Sequence, residues 1–233
     1  MTQLSPTVVA VHTGPVTVGP LAALAPELLP GVRLVNLVDD SLLKDTMAAG
    51  APTPAVIRRL SQYMLIGQDM GAELVLNCCS SVGEAAEVAA RLLDIPVLKI
   101  DAAMAEAAVA RARTIGVCAT VRTTLDPTAR LIERSAAAAG RKVSVVRRLC
   151  DGAFDALLAN DGARHDAIVA EHLRALAAEV ELIVLAQVSM ARVADALGDA
   201  LPCPVLSSPR LGLERVARHL AEAGRDTARP RAA

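Results

Sequence analysis

Residues 73–101 read ELVLNCCSSVGEAAEVAARLLDIPVLKID, and residues 181–209 read ELIVLAQVSMARVADALGDALPCPVLSSP. At an offset of 108 the two stretches lie on each other without a gap. Glu73/Glu181, Leu74/Leu182, Ser81/Ser189, Ala86/Ala194, Pro96/Pro204, Val97/Val205 and Leu98/Leu206 are then identical pairs. Upstream, an offset of 107 pairs Thr13 with Thr120, Thr17 with Thr124, Pro20 with Pro127 and Leu24 with Leu131, so one inserted residue separates the two registers. Ala/Leu-rich helices can align through composition alone, but composition does not place Thr and Ser at matching strand ends. The chain reads as two homologous halves.

Around the repeat, short β-branched runs alternate with longer Ala/Leu/Arg segments of helical period. Strands are expected over 8–12, 33–38, 73–78, 97–100, 115–119, 143–147, 181–185 and 205–206, and helices over 54–70, 102–113, 125–139 and 165–178. This alternation argues for parallel sheets with helices outside. The expected fold is α/β, with two pseudo-twofold-related halves, each a four-stranded parallel sheet flanked by helices, and a cleft between them. Residues 1–100 plus 209–233 form the first half and 101–208 the second, with a last helix over 210–223 returning to the first half. The tail from Gly224 onward is expected to fray.

Composition narrows the function. Of 233 residues, 53% are hydrophobic, only 1% are aromatic, and the net charge is −1. No basic stripe is available to neutralise phosphates, so nucleic acid is not an expected partner. With no Trp, one Tyr and one Phe, stacking platforms and aromatic cages are excluded as the main mode of recognition. A cleft lined by hydroxyls, amides and a thiol is expected instead, suited to an aliphatic rather than an aryl acid. The N-terminus lacks the pattern of a signal peptide, and no apolar run reaches the ~20 residues that span a bilayer. The mean hydropathy of +0.42 reflects strands buried on both faces. Five cysteines, an odd number lying mostly in apolar strands, suit reduced thiols, and a cytoplasmic setting without membrane contact is expected.

In open α/β sheets ligands bind beyond the carboxyl ends of the strands. The repeat therefore nominates four loops for one cleft: 12–15, 79–81, 119–124 and 187–189. Cys79 follows a strand and precedes a helix expected to start near Val82, with Ser81 and Glu84 matching an S-x-x-E capping box. Helix amides and the positive dipole end there would lower the thiol pKa and favour thiolate. The alternative is that Cys78 and Cys79 are both small buried hydrophobes. Strand alternation lets one of them face the cleft, and the turn side favours Cys79. Thr13, Thr120, Thr123, Thr124, Ser80, Ser81, Ser189, Ser207 and Ser208 cluster at strand-to-helix turns, where hydroxyls and helix amides bind carboxylates without Arg. Any one of them could equally be an ordinary N-cap.

Other residues weigh less. His165 and His172 are expected on the solvent side of a helix, while His12 either reaches the cleft or caps the sheet. Lys44 and Lys99 lack a Schiff-base motif and read as surface or packing residues. Asp39, Asp40 and Asp101 show no metal-ligand spacing, so no metal is expected. Gly14 and Gly19 are not followed by G-K-[ST], so no phosphate loop is expected. Cys118, Cys150 and Cys203 read as structural.

The run Asn77-Cys78-Cys79-Ser80-Ser81, the turn Ala119-Thr120-x-x-Thr123 and the run Pro204-Val205-Leu206-Ser207-Ser208 resemble the aspartate/glutamate/hydantoin racemase superfamily, which includes maleate isomerase and arylmalonate decarboxylase. The likeness spans residues 7–223. It implies cofactor-independent proton transfer at the carbon next to a carboxylate, by one Cys from each half, on a small carboxylic acid, in a homo-oligomer. Cys79 matches the first Cys. Thr13, Ser80, Thr120, Thr123 and Ser208 match carboxylate-binding positions, and Ser81, Thr124 and Ser189 join them at the same turns.

The second Cys of that pattern falls where this chain has Gln187, within Leu185-Ala186-Gln187-Val188-Ser189. A carboxamide does not accept a proton near neutral pH, although it donates and accepts hydrogen bonds. Two-base racemisation through Cys79 and Gln187 is therefore not expected. Racemase or isomerase chemistry with one Cys is the leading expectation, single-Cys decarboxylation of a malonate-like acid the first alternative, and a non-catalytic acid-binding protein the second.

Overall fold

The computed structural model describes residues 5–228. The first half runs β1 (Thr7–His12), α1 (Val18–Leu28), β2 (Arg33–Val38), α2 (Ser41–Ala49), α3 (Pro54–Asp69), β3 (Leu74–Asn77), α4 (Gly83–Ala89) and β4 (Val97–Lys99). The second repeats it: α5 (Ala102–Arg111), β5 (Thr114–Ala119), α6 (Arg122–Ala138), β6 (Ser144–Leu149), α7 (Ala153–Leu158), α8 (Gly162–Ala177), β7 (Leu182–Leu185), α9 (Ala191–Leu197) and β8 (Val205–Leu206). The closing helix α10 spans Ser208–Ala228 and carries the chain as helix beyond Gly224, where fraying was expected. The expected loosening over 229–233 lies outside the described residues.

Two four-stranded parallel sheets result, ordered β2-β1-β3-β4 and β6-β5-β7-β8. The observed strands differ from the expected ones by two residues or fewer at any end. Alternating side chains send Val9, Val11 and Val75 to one face of the first sheet, with Leu60 and Met64 of α3. Val8, Ala10, Leu74 and Leu76 go to the other face, with Leu21 of α1 and Leu213 and Val216 of α10. The second sheet divides likewise. Ile115, Val117, Leu182 and Val184 meet α5 and α6, whereas Cys118, Ile183 and Leu185 meet Val169 and Leu173 of α8. Burial on both faces explains runs that are continuously apolar rather than alternating. Small residues set the spacing: a Cβ on Gly116 would lie 2.8 Å from Leu176, and one on Gly212 would lie 2.6 Å from the Ile100 carbonyl oxygen.

Strand order reverses between β1 and β3, and between β5 and β7. The loops leaving those paired strands diverge to opposite sides and open a crevice at the carboxyl ends. The loops after β1, β3 and β7 line one cleft between the halves, with Thr13, Cys79 and Gln187 at its wall.

One expectation is corrected by the packing. His165 is fully buried rather than solvent-facing, because it lies on the same α8 stripe as Val169, Leu173 and Leu176; its Nδ1 bonds Asp166 at 2.7 Å. His172 is half-buried. Cys118 and Cys150 are free thiols in the core with sulfurs 3.3 Å apart, consistent with structural roles. Lys44 pairs with Asp40, and Lys99 with Glu87.

Candidate active site

The cleft encloses about 90 Å³. Eight of the sequence-nominated residues meet there: Cys79, Gln187, Thr13, Ser80, Ser81, Thr124, Ser189 and Ser208. Thr120 and Thr123 instead line a neighbouring depression. Among the described residues no cluster of three or more metal-ligating side chains occurs.

Each half builds its corner from the same parts. In the first, β1 ends at His12 and β3 at Asn77, adjacent in the sheet, so Thr13 and Cys79 emerge side by side. Asn77 Nδ2 donates to the Cys79 carbonyl at 2.8 Å and fixes the turn after β3. Burial raises the pKa of the Cys79 thiol; against it act the Thr13 hydroxyl, the Ser81 and Val82 amides and the Ser81 hydroxyl. The net direction is upward, which corrects the expectation of a lowered pKa. The resting group is a thiol, and the surrounding donors are placed to receive the charge once the proton leaves. Cys78 is buried, its thiol donating to the Leu76 carbonyl, and it also lines the cleft.

In the second half, β5 ends at Ala119 and β7 at Leu185, and Thr120 meets Gln187 in the same relation. Gln187 Oε1 accepts from the Thr120 amide at 2.6 Å and from its hydroxyl at 2.9 Å. The Thr–Cys pair of the first half thus has a Thr–Gln pair as its sister.

The expected capping box is absent. Ser80–Val82 form a 3-10 turn, no side chain caps it, and Ser81 Oγ bonds Thr124 Oγ1 across the halves at 2.7 Å. Glu84 pairs with Arg130 and Arg134 of α6 instead. Tertiary partners offered both side chains stronger or better-placed bonds than the local turn.

The remaining walls were not nominated. Val16, Leu43, Ile100, Leu157 and Val188 are apolar, and Phe154, the chain's single Phe, also lines the cleft. This corrects the expectation of a wall made only of hydroxyls, amides and a thiol. Thr17 lines the cleft as well and bonds His12 Nδ1 at 2.6 Å. The 13/120 and 17/124 pairing was the signal that could have found it.

The description Asp/Glu/Hydantoin racemase matches residues 16–216. The chain belongs to that family. Its fold is shared by solved racemases. The glutamate racemase of Francisella tularensis, in complex with D-glutamate, superposes with a TM-score of 0.76 at 13% identity, covering 95% of this chain and 83% of that one. The allantoin racemase of Klebsiella pneumoniae gives 0.68 at 18% identity, over 94% and 89%. The aspartate racemase of Picrophilus torridus gives 0.68 at 13%, over 91% and 94%. No curated protein matches the chain in sequence. The family supports a racemase-type enzyme. Among the described residues, no helix is long and apolar enough to cross a membrane.

Proposed function

We propose that this racemase-family chain is a cofactor-independent enzyme that moves a proton at the carbon next to the carboxylate of a small aliphatic acid. The observation that carries the reading is the sister arrangement of Thr13–Cys79 and Thr120–Gln187 at two facing switch points. Cys79 delivers or removes the proton. Because burial keeps it protonated at rest, it acts first as the acid, and the Thr13 and Ser81 hydroxyls with two backbone amides hold the resulting thiolate. Gln187 has its oxygen committed to Thr120, which leaves the Nε2 hydrogens as what it offers the cleft. Those donors suit a carboxylate or enediolate oxygen, a contribution of about 3 kcal/mol for a well-placed oxyanion donor. Ser80, Ser81, Thr124, Ser189 and Ser208 supply the remaining polar edge for a carboxylate, while Thr120 holds Gln187 from behind. Thiol and hydroxyl groups suffice for this chemistry without pyridoxal phosphate.

A second reading is favoured by Gln187 itself. Decarboxylation of a 2-substituted malonate needs one proton donor after carbon dioxide leaves, and Cys79 alone provides it. Both readings are tested in deuterated water with the D- and L-forms of aspartate and glutamate and with alkylmalonates. Deuterium entering at the α-carbon without loss of carbon dioxide supports the first, and carbon dioxide release with one deuterium incorporated supports the second; either must vanish in Cys79→Ala. If these acids shift the melting temperature but none exchanges or decarboxylates, the chain is a non-catalytic acid-binding protein.

A further inference from the structure

We infer that Thr17, backed by His12 and Asn36, is the second proton-transferring group of this cleft. His12 is fully buried, with Nε2 2.9 Å from Asn36 Oδ1 and Nδ1 2.6 Å from Thr17 Oγ1. An amide oxygen only accepts, so Nε2 carries the proton and donates it to Asn36. Burial lowers the His12 pKa, and the bond to Asn36 is the one influence acting against it, so the ring is neutral and its Nδ1 lone pair is free. Nδ1 therefore accepts the Thr17 hydroxyl proton. Thr17 Oγ1 also lies 3.4 Å from the Gly14 carbonyl, but the 2.6 Å bond to the imidazole is far the shorter. The result is a hydroxyl on a base, with the base oriented by a third group, at the wall of the cleft.

The fold does not require this array. In the sister half, Ala119 stands in the place of His12, and register puts Arg147 where Asn36 stands: Ala10 pairs with Asn36 as Val117 pairs with Arg147. The same turn is made there without His, and Thr124, the partner of Thr17 in the repeat, bonds Ser81 instead. Thr17 and Cys79 also reach the cleft from different junctions between the halves. The 3-10 turn Pro15–Thr17 packs against the 3-10 turn Val188–Met190 beside Gln187, whereas the turn Ser80–Val82 packs against α6. A base thus stands near the position where this chain lacks a second thiol.

The step rests on the carbon-acid reading above and balances as follows. The α C–H bond breaks, its proton goes to Thr17 Oγ1, and the Thr17 proton passes to His12 Nδ1. The C–H electron pair moves into the carboxylate as an enediolate. The Cys79 S–H then gives its proton to the carbon from its own side, leaving thiolate and imidazolium. The reverse reaction, or exchange with water, restores both. Thr17 is the catalytic residue here, and His12 and Asn36 are positioning residues.

Two measurements test this. In ¹⁵N-labelled protein, the His12 ring is expected to be protonated on Nε2 and bare on Nδ1. Its Nδ1 resonance should move in Thr17→Val and return in Thr17→Ser. A proton on Nδ1, or no response to Thr17→Val, overturns the array without reference to any substrate. With whichever acid exchanges in deuterated water, Cys79→Ser should stop exchange from one enantiomer and Thr17→Val from the other. Each loss should be at least about 100-fold in kcat, with little change in KM and recovery in Thr17→Ser. Wild-type exchange from both enantiomers in Thr17→Val overturns the transfer step. No exchange from any acid by the wild type overturns the carbon-acid reading and the step with it, while the ring resonances still report whether the array exists.

Discussion

Gln187 divides its two ends between stability and ligand, and two substitutions separate them. In Gln187→Leu the side chain keeps a comparable volume, but Thr120 loses both acceptor contacts, at 2.6 Å to its amide and 2.9 Å to its hydroxyl. Thr120 is only 5% exposed, so water does not readily replace them. A buried amide left unpaired costs about 1–3 kcal/mol, and a lost hydroxyl bond about 0.5–1.5 kcal/mol. Together the expected loss is about 1.5–4.5 kcal/mol. At a urea slope of about 3 kcal/mol/M, the unfolding midpoint falls by roughly 1 M. Gln187→Glu behaves differently near neutral pH: its carboxylate accepts the same two bonds, but it carries no donor and repels an anion. It should keep the midpoint within about 0.3 M of wild type and abolish the melting shift given by a small dicarboxylate such as malonate. If Gln187→Leu leaves the midpoint unchanged, the bonds to Thr120 do not anchor this side chain. If Gln187→Glu still binds malonate with wild-type strength, Nε2 does not face the ligand.

Three other outcomes follow from the same geometry. Alkylation by iodoacetamide tracks thiolate; with its pKa raised, Cys79 should react slowly at pH 7 and increasingly as pH climbs past 9, as peptide mass mapping would show, whereas a fast reaction at pH 7 would mean that the amides outweigh burial. Cys78→Ala should lower stability by about 1 kcal/mol in urea while leaving α-hydrogen exchange intact, and Cys79→Ala should do the reverse; exchange lost in Cys78→Ala alone would shift the strand phase by one residue. Gly212→Ala puts a Cβ 2.6 Å from a backbone oxygen that cannot step aside, so about 1–3 kcal/mol should be lost in thermal melts, while Gly224→Ala, with open space around its Cβ, should gain up to about 1 kcal/mol.

The sheets were legible because their signal is local. Runs such as Val8–Ala10 and Leu182–Leu185 are apolar at every position, and the offset of 108 tied the third and fourth strands of one half to those of the other. What the sequence concealed depends on distant partners. Ser81 and Glu84 have the spacing of a cap, yet Thr124 and Arg130, brought close by the second half, hold them instead. Phe154 reaches the cleft from α7, an element with no marked site motif. The seven-residue spacing of His165 and His172 said that they share a helix face, but only the sheet beneath α8 decides which face is covered. The Cys79 pKa failed for a related reason. Helix amides were visible in sequence, but the depth of burial that outweighs them was not.

The divergence between the sister halves is chemically ordered. Both keep the first-strand Thr and the turn after the third strand, the features that the switch point needs to hold a polar ligand. They differ in what the Thr supports, a thiol in one and a carboxamide in the other, and in what lies behind the first-strand turn, His12 in one and Ala119 in the other. A site that had only lost function would be expected to lose groups without gaining partners for those remaining. Here Gln187 is held by two bonds, and the imidazole has a partner at each nitrogen. On the proposed reading, the second thiol's two tasks, accepting a proton and steadying the developing charge, are divided between Thr17–His12 and Gln187. Such a division carries a distinct kinetic signature. Restoring a thiol by Gln187→Cys should not simply add activity, because it removes the donor to the enediolate and frees the Thr120 amide. A Gln187→Cys variant that outpaces wild type in α-hydrogen exchange would show that the carboxamide contributes nothing of its own.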